Sequence, residues 1–214
     1  MAAARLYAFI DAAYLAGRDP AELTRQLIAG GADLIQVRAK DFSHSQRVEL
    51  AWKVVGAARG SDALVIVNDD LDAAFEAGAA GVHLGQEDWT AIPRDQRGER
   101  LAKMQVVGLS THSLEQALAA ERHGASYIGV GPVFATDTKP GVNPVGLDLV
   151  RQVAARVSVP CFAIGGITLG NLAEVLAAGA TRVAVVSAIL RAPDVTQAAA
   201  EFKERLMSAT DGHG

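Results

Sequence analysis

The chain has 214 residues, and half of them are hydrophobic while only 5% are aromatic. That length and balance suit one folded unit with a large core and exclude a disordered chain. The formal charge is −4, with acidic and basic residues mixed, so no basic block points to nucleic acid or an anionic membrane.

Short apolar runs alternate with amphipathic segments of helix length. Strands are predicted over Leu6–Ile10, Leu34–Val37, Leu64–Val67, Gly81–Leu84, Val106–Leu109, Tyr127–Val130, Cys161–Ile164 and Arg182–Val186. They are apolar on both faces, as buried parallel strands are. The first helix opens at Asp19-Pro20-Ala21-Glu22, with Asp as N-cap, Pro at N1 and Glu at N3; Ser113-Leu114-Glu115-Gln116 opens another. Gly30-Gly31-Ala32, Gly78-Ala79-Ala80, Gly124-Ala125-Ser126 and Gly179-Ala180-Thr181 each end a helix before an even-numbered strand. Glycine there supplies a left-handed C′ residue. Strict alternation allows a closed barrel or an open doubly wound sheet, and a repeat running around the whole chain favours the barrel. The expected fold is a (β/α)8 TIM barrel spanning 1–214 as a single domain, with a frayed, flexible tail over about 210–214.

No run of about 18 apolar residues is available to span a bilayer, and the Met1–Ile10 stretch is too short for a secretory signal. The single cysteine, Cys161, cannot form an internal disulfide and suits a reducing, cytoplasmic setting, where it is expected to pack in the core.

In a barrel of this kind the active site lies at the C-terminal ends of the strands. Three chemical demands can be read from that rim. Gly165-Gly166 and Val186-Ser187 follow strands 7 and 8, where backbone N–H groups can approach a phosphate. Asp69 and Asp88 end adjacent strands, and two carboxylates that leave open positions suit Mg²⁺. Asp70 reads as the N-cap of the next helix, and Glu87 is the nearest rival to Asp88. Arg38, Lys40 and Lys139 put cations on the same rim; Arg38 and Lys40 share strand parity, so both can point inward. The histidines say less. His83 reads first as a satisfied core residue and second as a pore-lining one, His112 lies near a helix start, and His44 and His123 look like surface positions. No zinc-site spacing, nucleophile elbow or P-loop pattern is present.

The stretches Gln36–Lys40, Val67-Asn68-Asp69, Gly81–Asp88, Gly108-Leu109-Ser110, Tyr127–Lys139, Ala163–Ile167 and Val185–Ile189 together resemble the thiamine phosphate synthase family, with the likeness running from about Leu6 to the last helix. The resemblance implies a transferase joining 4-amino-2-methyl-5-hydroxymethylpyrimidine diphosphate to 4-methyl-5-(2-phosphoethyl)thiazole, or its carboxylated form, with release of pyrophosphate. It further implies that Gln36, Arg38, Lys40, Asn68, Ser110 and Lys139 contact the pyrimidine diphosphate. On the same resemblance, Arg38, Lys40, Ser110 and Lys139 would form the catalytic set, and Asp69 and Asp88 would bind Mg²⁺. Thr136, Thr138, Gly166, Val186 and Ser187 would, by the resemblance, hold the thiazole phosphate. Two departures stand out: Ala39 occupies a place that is often acidic in the family, and the Asp88–Ser110 segment is long, with the charged Arg94–Arg100 suited to an extra helix or a lid. The rivals are a thiazole tautomerase on the same barrel, which needs an acid/base residue where this chain reads Gly131-Pro132-Val133, and a non-catalytic phosphate-binding paralogue. Partners are expected to be small molecules, and a homodimer is compatible with the sequence.

Overall fold

Eight parallel strands close into a barrel in the order β1 to β8 in the computed structural model, which describes residues 1, 3–136, 141 and 143–211, with Arg94, Thr210 and Asp211 described by their backbone only. In chain order the elements are β1 Leu6–Asp11, α1 Pro20–Ala29, β2 Leu34–Arg38, α2 His44–Ala58, β3 Leu64–Asn68, α3 Leu71–Glu76, β4 Gly81–Leu84, α4 Gln86–Ala91 and α5 Arg94–Leu101. They continue with β5 Val106–Thr111, α6 Leu114–Arg122, β6 Tyr127–Val130, α7 Gly146–Arg156, β7 Cys161–Ile164, α8 Leu172–Ala177, β8 Val183–Ala184, α9 Ser187–Leu190 and α10 Val195–Asp211.

Local chemistry sets the helix starts. Asp19 accepts from the N–H groups of Ala21 and Glu22, Ser43 forms a capping box with Gln46, and Asp70 and Ser113 cap α3 and α6. Gly31, Gly78, Gly124 and Gly179 all adopt positive φ, so each predicted helix-ending glycine sits in the conformation that favours it.

Strands β1, β2, β3 and β5 run one or two residues past their predicted ends. β8 is shorter than the predicted Arg182–Val186, because Val186 already turns into α9, with φ −107° and ψ −85°. The Arg94–Arg100 stretch forms α5. The last helix continues through Asp211, so the described part of the expected tail is helical.

Alternation along each strand sends one set of side chains to the helices and the other into the barrel. On β1, Leu6, Ala8 and Ile10 pack outward among fully buried apolar groups, while Tyr7 and Phe9 line the interior. At the N-terminal end of the barrel, Asp33 accepts the backbone N–H groups of Arg5 and Leu6 at 2.7 and 2.9 Å and the Lys203 Nζ at 2.6 Å, tying β1 to α10. No helix among the described residues is long and apolar enough to cross a membrane.

Candidate active site

A cavity opens at the C-terminal ends of the strands. Its floor is built by Tyr7, Gln36, His83 and Phe162, its wall by Arg38, Asn68, Ser110 and Thr136, and its far side by Gly165, Gly166, Val186 and Ser187. The register explains the convergence: Asn68 pairs with His83, His83 with Gly108, and Ser110 with Gly129, so inward positions of successive strands climb the interior together. Eight of the residues that the resemblance assigns to the substrates therefore share one cavity: Gln36, Arg38, Asn68, Ser110, Thr136, Gly166, Val186 and Ser187. Lys40 is placed differently. It lies two residues past the end of β2, is exposed, and is absent from the lining. Thr138 and Lys139 lie outside the described residues.

Asp69 follows β3 directly and holds φ at +61°, a left-handed conformation that costs energy for a residue with a Cβ. Its backbone N–H donates to the His83 carbonyl at 2.9 Å, while its carboxylate accepts from the Gly85 N–H and the Asn68 side-chain amide. Burial raises its pKa above the usual Asp value, and the Asp88 carboxylate, close enough to share a hydrogen bond with it, pushes the same way. Asp88 sits in the first turn of α4, where Gly85 has no Cβ; one added there would stand 2.8 Å from Asp88 Oδ2. Glu87, the rival ligand, is exposed, and Asp70 is occupied as the N-cap of α3. The carboxylate pair is not itself part of the cavity lining; it adjoins the cavity through Asn68. Among the described residues no third His, Cys, Asp or Glu completes a metal cage. Two close oxygen donors whose mutual repulsion keeps one of them inclined to protonate fit a hard divalent cation that takes its other ligands from water or substrate.

On the opposite side, Gly165 and Gly166 adopt φ of +101° and +64°. A Cβ at Gly165 would meet Pro132 at 2.5 Å, and one at Gly166 would meet the Ala135 carbonyl at 2.5 Å, so the loop after β6 can lie on this turn only over bare backbone. Asn171 braces the turn by donating to the Gly166 carbonyl at 2.9 Å. The turn and the start of α9 at Ser187 bound the cavity with backbone and a hydroxyl, and among the described residues no charged side chain lines it there.

One participant, Asp11, was not singled out from the sequence. Asp11, 2% exposed, accepts Arg38 Nη1 at 2.6 Å and holds the guanidinium at the barrel mouth. Its position at the end of β1, one residue beyond the predicted strand, was the available signal. His112 lines the cavity and its Nδ1 bonds the Gly131 carbonyl next to a cis Gly131–Pro132 peptide. His83 answers both of its readings at once: it is satisfied, bonding Tyr127 and Ser110, and it lines the cavity. Cys161 is half-buried, its thiol donating to the Val159 carbonyl. Burial pushes its pKa up to about 11, so it is a protonated thiol at neutral pH.

The family model described as thiamine monophosphate synthase (TMP-TENI) matches residues 6–189. A thiamine-phosphate synthase of Chloroflexus aurantiacus is 43% identical over 208 residues, covering 96% of this chain and 94% of the relative. That of Methanoregula boonei is 40% identical over 208 residues with the same coverage. Among solved structures, thiamine phosphate pyrophosphorylase from Pyrococcus furiosus superposes with a TM-score of 0.84 at 35% identity, covering 96% of each chain.

Proposed function

The chain belongs to the thiamine monophosphate synthase family and is a transferase of thiamine biosynthesis, and on that premise we propose how its cavity divides the work. The pyrimidine diphosphate binds on the side of Gln36, Arg38, Asn68 and Ser110; the family resemblance adds Lys40 and Lys139 to that set. The thiazole phosphate binds at Gly166, Val186 and Ser187, with Thr136 and Thr138 beside it. The observation that carries this division is the contrast between the two walls: the Arg38 guanidinium on one, with the carboxylate pair adjoining it through Asn68, and bare glycine backbone and a hydroxyl on the other.

The family is consistent with a metal-assisted reaction, and Asp69 and Asp88 are the residues that would hold Mg²⁺. When bound, such an ion supplies positive charge to the diphosphate oxygens. Arg38, held by Asp11, gives N–H donors to the departing pyrophosphate and so stabilises charge as the C–O bond lengthens. The aminopyrimidine supports the methylene cation that remains, and the thiazole nitrogen captures it. The phosphate anchor sets the distance and orientation of that nitrogen, which is where proximity contributes to the rate. No protein nucleophile is required.

One barrel domain accounts for this activity. A cytoplasmic setting and a homodimer belong to the same reading, the first on the evidence of one cysteine with no disulfide partner. The test is an assay with both purified substrates, with and without Mg²⁺. Metal-dependent release of pyrophosphate with thiamine phosphate is expected. Isomerisation of the carboxythiazole phosphate alone would replace the proposal with the tautomerase, and phosphate binding without turnover would replace it with a binding paralogue.

A further inference from the structure

Beneath the cavity runs a buried chain of hydrogen bonds with no place in the mechanism above. Gln36 Nε2 donates to the Tyr7 hydroxyl at 2.5 Å. Tyr7 and Tyr127 hydroxyls are 2.8 Å apart, Tyr127 is 3.0 Å from His83 Nδ1, and His83 Nε2 is 2.9 Å from Ser110 Oγ. Five strands contribute one residue each: β2, β1, β6, β4 and β5. The chain begins and ends at two residues assigned above to the pyrimidine diphosphate. Its middle is deeply buried, for Tyr127 is fully buried and Tyr7, 2% exposed, meets the cavity only as part of its floor. Phe162 stands edge-on to both phenol rings, and Gly108 lacks the Cβ that would strike the Tyr127 ring at 2.1 Å.

The chain has a polarity that donor counting can fix. The side-chain N–H of Gln36 can only donate, so the Tyr7 oxygen accepts and its single proton goes on to Tyr127. Tyr127 in turn accepts from Tyr7 and gives its proton to His83 Nδ1. That nitrogen is then the bare one, the ring proton sits on Nε2, and Nε2–H donates to Ser110 Oγ. Ser110, already accepting, keeps its own proton to offer elsewhere. Burial raises the pKa of both phenols, Tyr127 far above the usual value, so both remain protonated donors. The opposite polarity would leave the Tyr7 proton without an acceptor in this chain unless Gln36 presented its carbonyl oxygen there, and Ser110 would then spend its proton on His83.

We propose that Tyr7 and Tyr127 are positioning residues for the transfer reaction: through His83 they set the Ser110 hydroxyl as a hydrogen-bond donor into the cavity. This rests on the assignment of Ser110 to the pyrimidine diphosphate side of the site. A hydroxyl oriented before the substrate arrives need not be reoriented during the reaction, and that preorganisation is what an electrostatic site requires.

The experiment pairs long-range proton–nitrogen NMR of the imidazoles with kinetics of a Tyr127→Phe variant, which keeps the ring and removes one oxygen. At about pH 8, where an ordinary imidazole is neutral, His83 in the parent enzyme is expected to carry its proton on Nε2. Tyr127→Phe is expected to shift the Nδ1 resonance away from its hydrogen-bonded position. It should lower kcat about tenfold while KM for both substrates stays within about threefold, the pattern of an interaction made in the transition state. A parent His83 protonated on Nδ1 overturns the proposal even if the variant does not fold. A variant with a lower melting temperature but parental kcat also overturns it, because the chain is then only a way of satisfying buried hydroxyls. An inactive parent enzyme would defeat the functional assignment, whereas the tautomer is read without substrate and stands or falls separately.

Discussion

The two ends of the barrel treat their carboxylates in opposite ways. At the N-terminal end, Asp33 is satisfied three times over, by two backbone N–H groups and the Lys203 ammonium. At the C-terminal end, Asp69 takes a left-handed backbone, loses solvation and faces a second carboxylate. Between these extremes stands Asp11, buried at the mouth yet neutralised by Arg38. The lesson is that one end of this fold is arranged for stability, while the other holds two carboxylates against each other where a ligand can use them.

The largest expected effect comes from the intermediate case. Arg38→Met should strand the buried Asp11 carboxylate and destabilise the protein by about 3–5 kcal/mol, the usual result of removing one partner of a buried pair. Denaturant unfolding measures it. Turnover should fall as well, and the double variant Arg38→Met with Asp11→Asn should recover stability without recovering turnover. Recovery of both would mean that Arg38 serves only the fold.

Asp69→Asn sharpens the contrast because stability and activity should separate. Turnover is expected to fall about 10²–10³-fold, the scale of a lost electrostatic element. The folded-state pKa of Asp69 lies above the unfolded value, so its contribution to the metal-free protein is fully present below the ordinary Asp pKa. That contribution is lost as pH rises through the raised value. The metal-free parent should therefore lose stability across that interval, and the Asn variant should show a flatter profile and melt no lower at neutral pH. Calorimetry in a chelator reads both curves. A variant with full turnover would remove Asp69 from the site.

The smallest effect belongs to the satisfied end. Asp33→Ala leaves two backbone N–H groups without their acceptor and should cost about 1–3 kcal/mol. Its kcat, measured well below the melting temperature, should be unchanged. A large loss of kcat would mean the two ends are coupled through β1.

Sequence patterning was sufficient for the architecture. The eight strands, the N-caps at Asp19 and Ser113 and the positive-φ glycines 31, 78, 124 and 179 all follow from periodicity and backbone sterics, which act over a few residues. The shortened β8 was not legible, because Val186 is apolar and β-branched whether it continues a strand or begins a turn. Family motifs supplied Gln36, Asn68, Ser110 and Gly166 as candidates, but not the terms on which they meet.

Those terms were decided by tertiary structure alone. That Asp11 pairs with Arg38, that Lys40 shares the parity of Arg38 yet is exposed and absent from the lining, and that Tyr7 and Tyr127, 120 residues apart, join Gln36 to Ser110 are consequences of closing the barrel. Local propensity acts between neighbours in the chain. Hydrogen bonds, burial and the pKa of Asp69 depend on which strands end up side by side, and no short stretch of residues carries that information.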